Sequence, residues 1–246
     1  MTGSLQVDGV SKRFGGLLAV DRISFDVSPG ELVCIIGPNG AGKTTLFNLL
    51  TGQLRPSAGR VLLDGNDVSG LTPDRRARAG FGRTFQISQT LVSLTTLENA
   101  MIGAFLHHPS VAAAARHARA MLDLVGLGPR AQVRAGVLTL SERRRLEVAR
   151  ALGLDPRIML LDEVMAGLNP TEIQEIAVLV QRLNQEGHTF LVIEHNLKVV
   201  RQFAHRVIVL DQGALLAEGT AEQVLSDPRV IEAYVGPGRA SSRRTA

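Results

Sequence analysis

The stretch Leu32-Val33-Cys34-Ile35-Ile36-Gly37-Pro38-Asn39-Gly40-Ala41-Gly42-Lys43-Thr44-Thr45 decides how this chain is read. An apolar run short enough for a buried strand leads into G-x-x-x-x-G-K-[ST], and a helix-forming segment follows. The spacing has a chemical reason. Glycines let successive backbone N–H groups turn inward around the α- and β-phosphates of a nucleotide, and the following helix presents its positive end to the same charge. Lys43 is then placed to reach the β/γ oxygens, and the Thr44 hydroxyl to ligate Mg²⁺. Gly37, Pro38, Asn39, Gly40, Ala41, Gly42, Lys43, Thr44 and Thr45 are therefore expected to grip a nucleoside triphosphate.

Outward from this loop the pattern alternates. Leu5–Val10, Ala19–Val27 and Glu31–Ile36 read as strands, with Ser28-Pro29-Gly30 as a turn. Lys43–Thr51 reads as a helix closed by Gly52, Arg60–Leu63 as a strand ending in Asp64-Gly65, and Thr72-Pro73 as the start of a short basic helix through Ala79. From Leu91 to Leu152 the texture turns helical, with Thr96–Ala104, Val111–Leu124 and Ser141–Leu152 as segments. Strand Arg157–Leu161 then restores the α/β rhythm, and a helix follows from Asn169, an N-cap facing Glu172. Thr189–Ile193, a helix after Asn196, Arg206–Leu210 and Ala214–Ala217 come next, and Thr220 caps a last helix. Strands alternating with helices predict a largely parallel sheet covered on both faces.

A second set of chemical groups follows from strand ends. Ile158-Met159-Leu160-Leu161-Asp162-Glu163 is an apolar strand closed by two acids, and in a parallel sheet such ends face the ligand crevice. Asp162 can hold Mg²⁺ there, and Glu163 can polarise the attacking water. Gln86 follows a strand where the helical region begins and is placed to sense Mg²⁺ or water. His195 ends the strand Val192-Ile193-Glu194-His195 and is placed to hydrogen-bond a γ-phosphate. Phe14 is a candidate to stack on adenine, although a Phe near a strand end is as often core.

Gly37–Thr45, Gln86, Asp162-Glu163 and His195, in this order, make the chain resemble the nucleotide-binding subunits of ABC transporters over about residues 5 to 235. Lys12–Val20, Arg83-Thr84-Phe85-Gln86, Ala166–Glu172 and Ala233-Tyr234-Val235-Gly236 resemble more narrowly the ATPase subunits of branched-chain amino acid importers. The resemblance implies an α/β P-loop NTPase fold with a mostly parallel core sheet, an N-terminal antiparallel β portion and a helical subdomain over about 88–153. It implies one nucleotide-binding domain over 1–235 and a basic, disordered tail over 236–246. It also implies ATP and Mg²⁺, a second ATPase subunit in a homo- or heterodimer, membrane-spanning permease partners, and a solute-binding protein outside the membrane. The chain would then sit peripherally on the cytoplasmic face of the membrane. The family signature Leu-Ser-Gly-Gly-Gln is eroded here to Leu138-Thr139-Leu140-Ser141-Glu142. Thr139 keeps the hydroxyl that would touch a γ-phosphate across a dimer, and Ser141 stands where a glycine is expected. Thr139-x-x-Glu142 equally reads as an ordinary capping box.

Composition narrows the classes. The chain has 246 residues, 45% hydrophobic and 20% charged, as for one substantial globular core. No apolar run approaches the ~18 residues of a membrane span, and Met1–Val7 lacks the pattern of a signal peptide. One cysteine, Cys34, in an apolar strand, is expected to be inert. The net charge is +4, but aromatics are 4%, too few for base stacking, so no specific nucleic-acid partner is expected. The alternatives left open are an importer ATPase for urea or short amides, a soluble ABC ATPase working on DNA or ribosomes, a P-loop kinase, and a non-hydrolysing regulatory module.

Overall fold

The computed structural model of the chain describes residues 3–84 and 90–235; Gln86 and the tail 236–246 lie outside the described residues. The first half contains β1 (Leu5–Phe14), β2 (Leu17–Val27), β3 (Leu32–Ile36), α1 (Lys43–Leu50), β4 (Ala58–Leu63), β5 (Asn66–Asp67), α2 (Pro73–Ala79) and β6 (Phe81–Arg83). The helices α3 (Thr96–Ala104), α4 (Val111–Leu124) and α5 (Leu140–Leu152) follow. The chain then forms β7 (Ile158–Asp162), α6 (Pro170–Gln185), β8 (Phe190–Ile193), α7 (Leu197–Phe203), β9 (Arg206–Asp211), β10 (Ala214–Gly219), α8 (Ala221–Ser226) and α9 (Pro228–Val235).

Two sheets result. A four-stranded antiparallel sheet runs β2-β1-β4-β5, and a six-stranded sheet runs β10-β9-β3-β8-β7-β6. In the larger sheet all neighbours are parallel except β9 and β10. The mostly parallel core and the antiparallel β portion therefore match the expectation from sequence.

Side chains on the central strands divide between two cores with a period of two, as a sheet covered on both faces requires. Leu32, Cys34 and Ile36 of β3 join Met159 and Leu161 of β7 and Phe190 and Val192 of β8 against the helices α3 to α7. Val33 and Ile35, with Ile158, Leu160, Leu191 and Ile193, pack instead with α1 residues Leu46, Phe47, Leu49 and Leu50 and with the smaller sheet. Burying a side chain of this size contributes about 1.5–3 kcal/mol, so the alternation holds the two sheets and α1 in a fixed relation. The helices α3, α4 and α5 pack on one another beyond β6.

α1 is braced at its far end. Arg76 on α2 is fully buried, and its Nη1 donates to the carbonyls of Leu49 and Leu50 while Nη2 donates to Ser69 O at 3.0 Å. The Leu49 and Leu50 carbonyls end α1, where carbonyls lack intrahelical partners and carry the negative end of the helix dipole.

β2 and β4 each begin two residues before the expected start, and the short β5 is not among the expected strands; two further differences have a clear local cause. β1 runs on to Phe14 rather than ending at Val10, because Gly15-Gly16 forms a two-residue turn that pairs Phe14 with Leu17. The helix after Thr220 is not the last one. Asp227, held extended at ψ 122° before Pro228, ends α8, and Pro228 opens α9.

Candidate functional site

The loop from β3 to α1 needs glycine at its two tightest points. Gly37 has φ 151°, and a Cβ there would lie 2.1 Å from the Leu210 carbonyl oxygen. Gly42 has φ 96°, and a Cβ there would lie 2.6 Å from the Ala19 carbonyl oxygen. Gly42 also supplies no side-chain cap, so the first-turn amides of α1 remain available to an anion. Lys43 folds back over the loop, its Nζ donating to Gly37 O at 2.7 Å and Pro38 O at 3.0 Å. Burial lowers its pKa, and the charges of Glu163 and Asp162 oppose that shift. The acids ending β7 are therefore within electrostatic reach of the loop lysine, although more than a hundred residues separate them in sequence.

Topology explains the approach. β8 lies between β3 and β7, so the ends of all three strands emerge together at one edge. Asp162 is 1% exposed; its Oδ2 accepts from Arg83 Nη2 at 2.9 Å, and its amide donates to Thr84 Oγ1. Burial pushes this carboxyl above the usual range, with the Glu163 charge adding to the rise while Arg83 and Lys43 pull it back. Arg83 Nη1 further donates to Asn48 Oδ1 at 2.7 Å and Thr51 Oγ1 at 2.8 Å, tying α1 to the tip of β7. Glu163 adopts φ 50°, which turns the chain out of the strand, while its amide donates to Ile193 O at 3.0 Å. His195 follows β8 at this edge and is exposed.

A cleft of about 640 Å³ gathers Asn39–Thr45, Glu163 and Phe14, with Leu17, Leu18, Ala19, Gln212 and Gly213 completing its walls. Thr44 is exposed and lines it. Phe14 is 44% exposed, with Lys12 Nζ 5.2 Å from its ring centre, so this ring is a wall of the cleft and not core.

Gly37, Pro38, Asp162 and His195 are not among the residues that line this cleft. Thr139 and Ser141 do not line it. Thr139 Oγ1 accepts from the Glu142 amide at 3.2 Å and Glu142 Oε2 accepts from the Thr139 amide at 2.9 Å, so the capping box forms. Arg130 Nε donates to Glu142 Oε1 at 2.8 Å and is the main cause holding that carboxyl below its usual range. Ser141 is 6% exposed. Gln86 lies outside the described residues.

Sequence reasoning missed two groups. Arg83 engages the very carboxylate assigned to the metal, and nothing in its local sequence signals that. Glu194 is fully buried beneath the exposed His195; its Oε1 accepts from the Met165 amide at 3.3 Å, in the loop after Glu163. Burial, with the Glu163 charge adding to it, pushes Glu194 up to about 7. Cys34 is buried and its thiol is pushed well up by burial, which suits packing and not nucleophilic chemistry.

Comparison with known proteins agrees with this geometry. Residues 20–166 match the ABC transporter family, and residues 214–236 match the family described as branched-chain amino acid ATP-binding cassette transporter. The chain is 40% identical to the high-affinity branched-chain amino acid transport ATP-binding protein BraF of Pseudomonas aeruginosa, over 94% of this chain and 97% of BraF. It is 41% identical to the corresponding protein LivG of Escherichia coli K12, with the same coverage of 94% and 97%. Among solved structures, a nucleotide-free ATP-binding cassette from an ABC transporter superposes with a TM-score of 0.87 at 33% identity, covering 96% of this chain and all of that one. A cassette in its ADP conformation gives the same values of 0.87 and 33%. On the domain match, the extent of identity and the assembled cleft, this chain belongs to the ABC transporter family as one of its ATP-hydrolysing, nucleotide-binding cassettes.

Proposed function

We propose that this chain is the ATPase subunit of an importer for branched-chain amino acids, working as one half of a cassette dimer beneath membrane-spanning permease subunits. The observation that carries the reading is the convergence of the lysine-bearing loop and Glu163 on one cleft. The names of its relatives, BraF and LivG, support the substrate class.

In this reading the amides of Gly37–Thr45 and Lys43 hold the phosphates, and Phe14 stacks on the base. Lys43 exchanges its bonds to Gly37 O and Pro38 O for phosphate oxygens. Glu163 orients and polarises the attacking water, and His195 and Gln86 report the γ-phosphate to the neighbouring segments. The Thr44 hydroxyl and the Asp162 carboxylate are hard oxygen donors that suit Mg²⁺, and Gln86 would complete the set. Mg²⁺, when bound, would neutralise charge on the β- and γ-oxygens. Thr139 and Ser141, which do not line the cleft of their own chain, act in trans on the partner's nucleotide in this reading.

Residues 88–153 serve as the subdomain that meets the permease. No helix among the described residues is long and apolar enough to cross a membrane, so attachment falls to partner subunits. Leu91, Val92, Ile102 and Phe105 are exposed apolar residues here. A pocket of about 160 Å³ lined by Arg83, Thr84, Ile102, Glu147, Arg150, Ala151 and Leu154 offers a docking groove beside them.

ATP binding and turnover of two variants test the proposal. Lys43→Ala should lose at least tenfold in ATP affinity. Glu163→Gln should bind ATP as wild type does, accumulate as an ATP-bound dimer, and lose turnover by a hundredfold or more. Unchanged turnover in Glu163→Gln would refute the assignment.

A further inference from the structure

A second cluster of chemically capable side chains lies far from the cleft. His108 sits in the connection between α3 and α4, His117 lies on α4, and Asp155 lies in the connection between α5 and β7. One donor atom from each can be chosen so that all lie within 4.8 Å of one another. His117 Nε2 is 3.3 Å from Asp155 Oδ1, and His108 Nε2 is 3.7 Å from Asp155 Oδ2. The two imidazole rings lie against each other, centroids 4.4 Å apart and planes tilted by 38°.

Both ring nitrogens are sealed from solvent and neither makes a hydrogen bond. Leaving a buried polar atom without a hydrogen bond is unfavourable, and two such atoms beside one carboxylate call for an explanation. Hydrogen bonding does not supply it, since 3.7 Å is beyond hydrogen-bond range and the 3.3 Å contact has poor geometry. Metal coordination does. In a tetrahedral site with bonds of about 2.0–2.1 Å, ligand atoms stand roughly 3.3–3.4 Å apart. The two histidine–carboxylate separations need at most a few tenths of an ångström of closure, and the remaining pair of donor atoms lies within 4.8 Å. Two imidazoles and one carboxylate form a donor set for zinc or a similar borderline cation, and not for Mg²⁺, which takes oxygen ligands. A pocket of about 140 Å³ lined by Met121, Leu152, Asp155 and His188 opens beside the carboxylate.

We infer that His108, His117 and Asp155 form a binding site for a zinc-type divalent cation. The ion would staple α4 and the α3–α4 connection to the segment that enters the core sheet at β7. It would restrain the helical region at its joint with the sheet, distant from the nucleotide.

The test uses the untagged, nucleotide-free chain after dialysis against a chelator. Calorimetric titration with ZnCl₂ should show one saturable site per chain with a dissociation constant in the micromolar range or tighter, and MgCl₂ should show none. His117→Ala and, separately, His108→Gln should each weaken zinc at least tenfold while keeping the wild-type circular dichroism spectrum. His195→Ala should leave zinc affinity unchanged. Zinc at a hundred times its dissociation constant should raise the melting temperature by roughly 5 °C or more, and not in His117→Ala. Absence of saturable zinc binding, wild-type zinc affinity in either cluster variant, or loss of binding in His195→Ala would overturn the site.

Discussion

Replacing Arg83 by Met offers the sharpest test of how the β7 tip is held. In the wild type the Arg83 guanidinium, 9% exposed, faces the Asp162 carboxylate, 2% exposed, at 2.9 Å. Removing one member of such a buried pair leaves an uncompensated charge, a loss of about 3–5 kcal/mol. The hydrogen bonds to Asn48 and Thr51 go as well, so the expected deficit at pH 7.5 is at least 3 kcal/mol. Asp162 has one escape, which is to take up a proton. Its carboxyl already sits above the usual range, and without Arg83 it rises further. Between the wild-type and variant folded-state pKa values the variant's native state binds one proton more, so the deficit shrinks by about 1.4 kcal/mol for each pH unit lowered. Urea unfolding followed by far-ultraviolet circular dichroism at pH 7.5 and 5.5 measures this; the chain has no tryptophan and one tyrosine, so fluorescence is a poor probe. Arg83→Lys, which keeps the charge without the fork, should fall between the two. A deficit below 1 kcal/mol, or one that is the same at both pH values, would refute the reasoning.

Other outcomes follow from other contacts. Arg76→Met should cost roughly 3 kcal/mol or more in the same unfolding assay, because the carbonyls of Leu49, Leu50 and Ser69 lose their buried donor. Gly42→Ala should lower ATP affinity at least tenfold, since its Cβ would meet the Ala19 carbonyl oxygen at 2.6 Å and φ 96° is a strained angle for alanine; wild-type affinity would show that the loop tolerates reshaping. Glu194 has a folded-state pKa of about 7, raised from an ordinary 4.5. Its contribution to stability is therefore complete below about pH 4.5 and lost as pH rises through about 7, and Glu194→Gln should flatten that decline. Parallel pH–stability curves for wild type and Glu194→Gln would contradict the burial argument.

What the sequence revealed follows the range of the interactions. The loop Gly37–Thr45 and the Leu160-Leu161-Asp162-Glu163 strand end were readable because their chemistry is local and their spacing is imposed by a ligand. The two-core alternation of β3 was hidden within a continuous apolar run, which shows that a strand is buried but not which neighbour takes which face. Arg76 and Arg83 were unreadable as buried groups. In the run Arg75-Arg76-Ala77-Arg78 nothing marks one arginine as interior, because two of its three carbonyl partners lie on α1 some 26 residues upstream. His108, His117 and Asp155 were likewise scattered among ordinary helix and loop residues, and only the packing of α4 beside the end of α5 brings them together. The Thr139–Glu142 cap was legible, whereas Arg130, which neutralises it from a different turn of chain, was not.

Thr139 and Ser141 do not line the cleft of their own chain, and the trans role proposed for them would limit what a solitary molecule can accomplish. Under the function proposed above, a chain diluted until it stands alone should still capture nucleotide yet release it uncleaved. Turnover per mole of enzyme would then climb with enzyme concentration and level off once pairing saturates. In a cell the permease would act as a concentrator, holding two cassettes within reach of each other, so that fuel is consumed where transport happens and spared elsewhere.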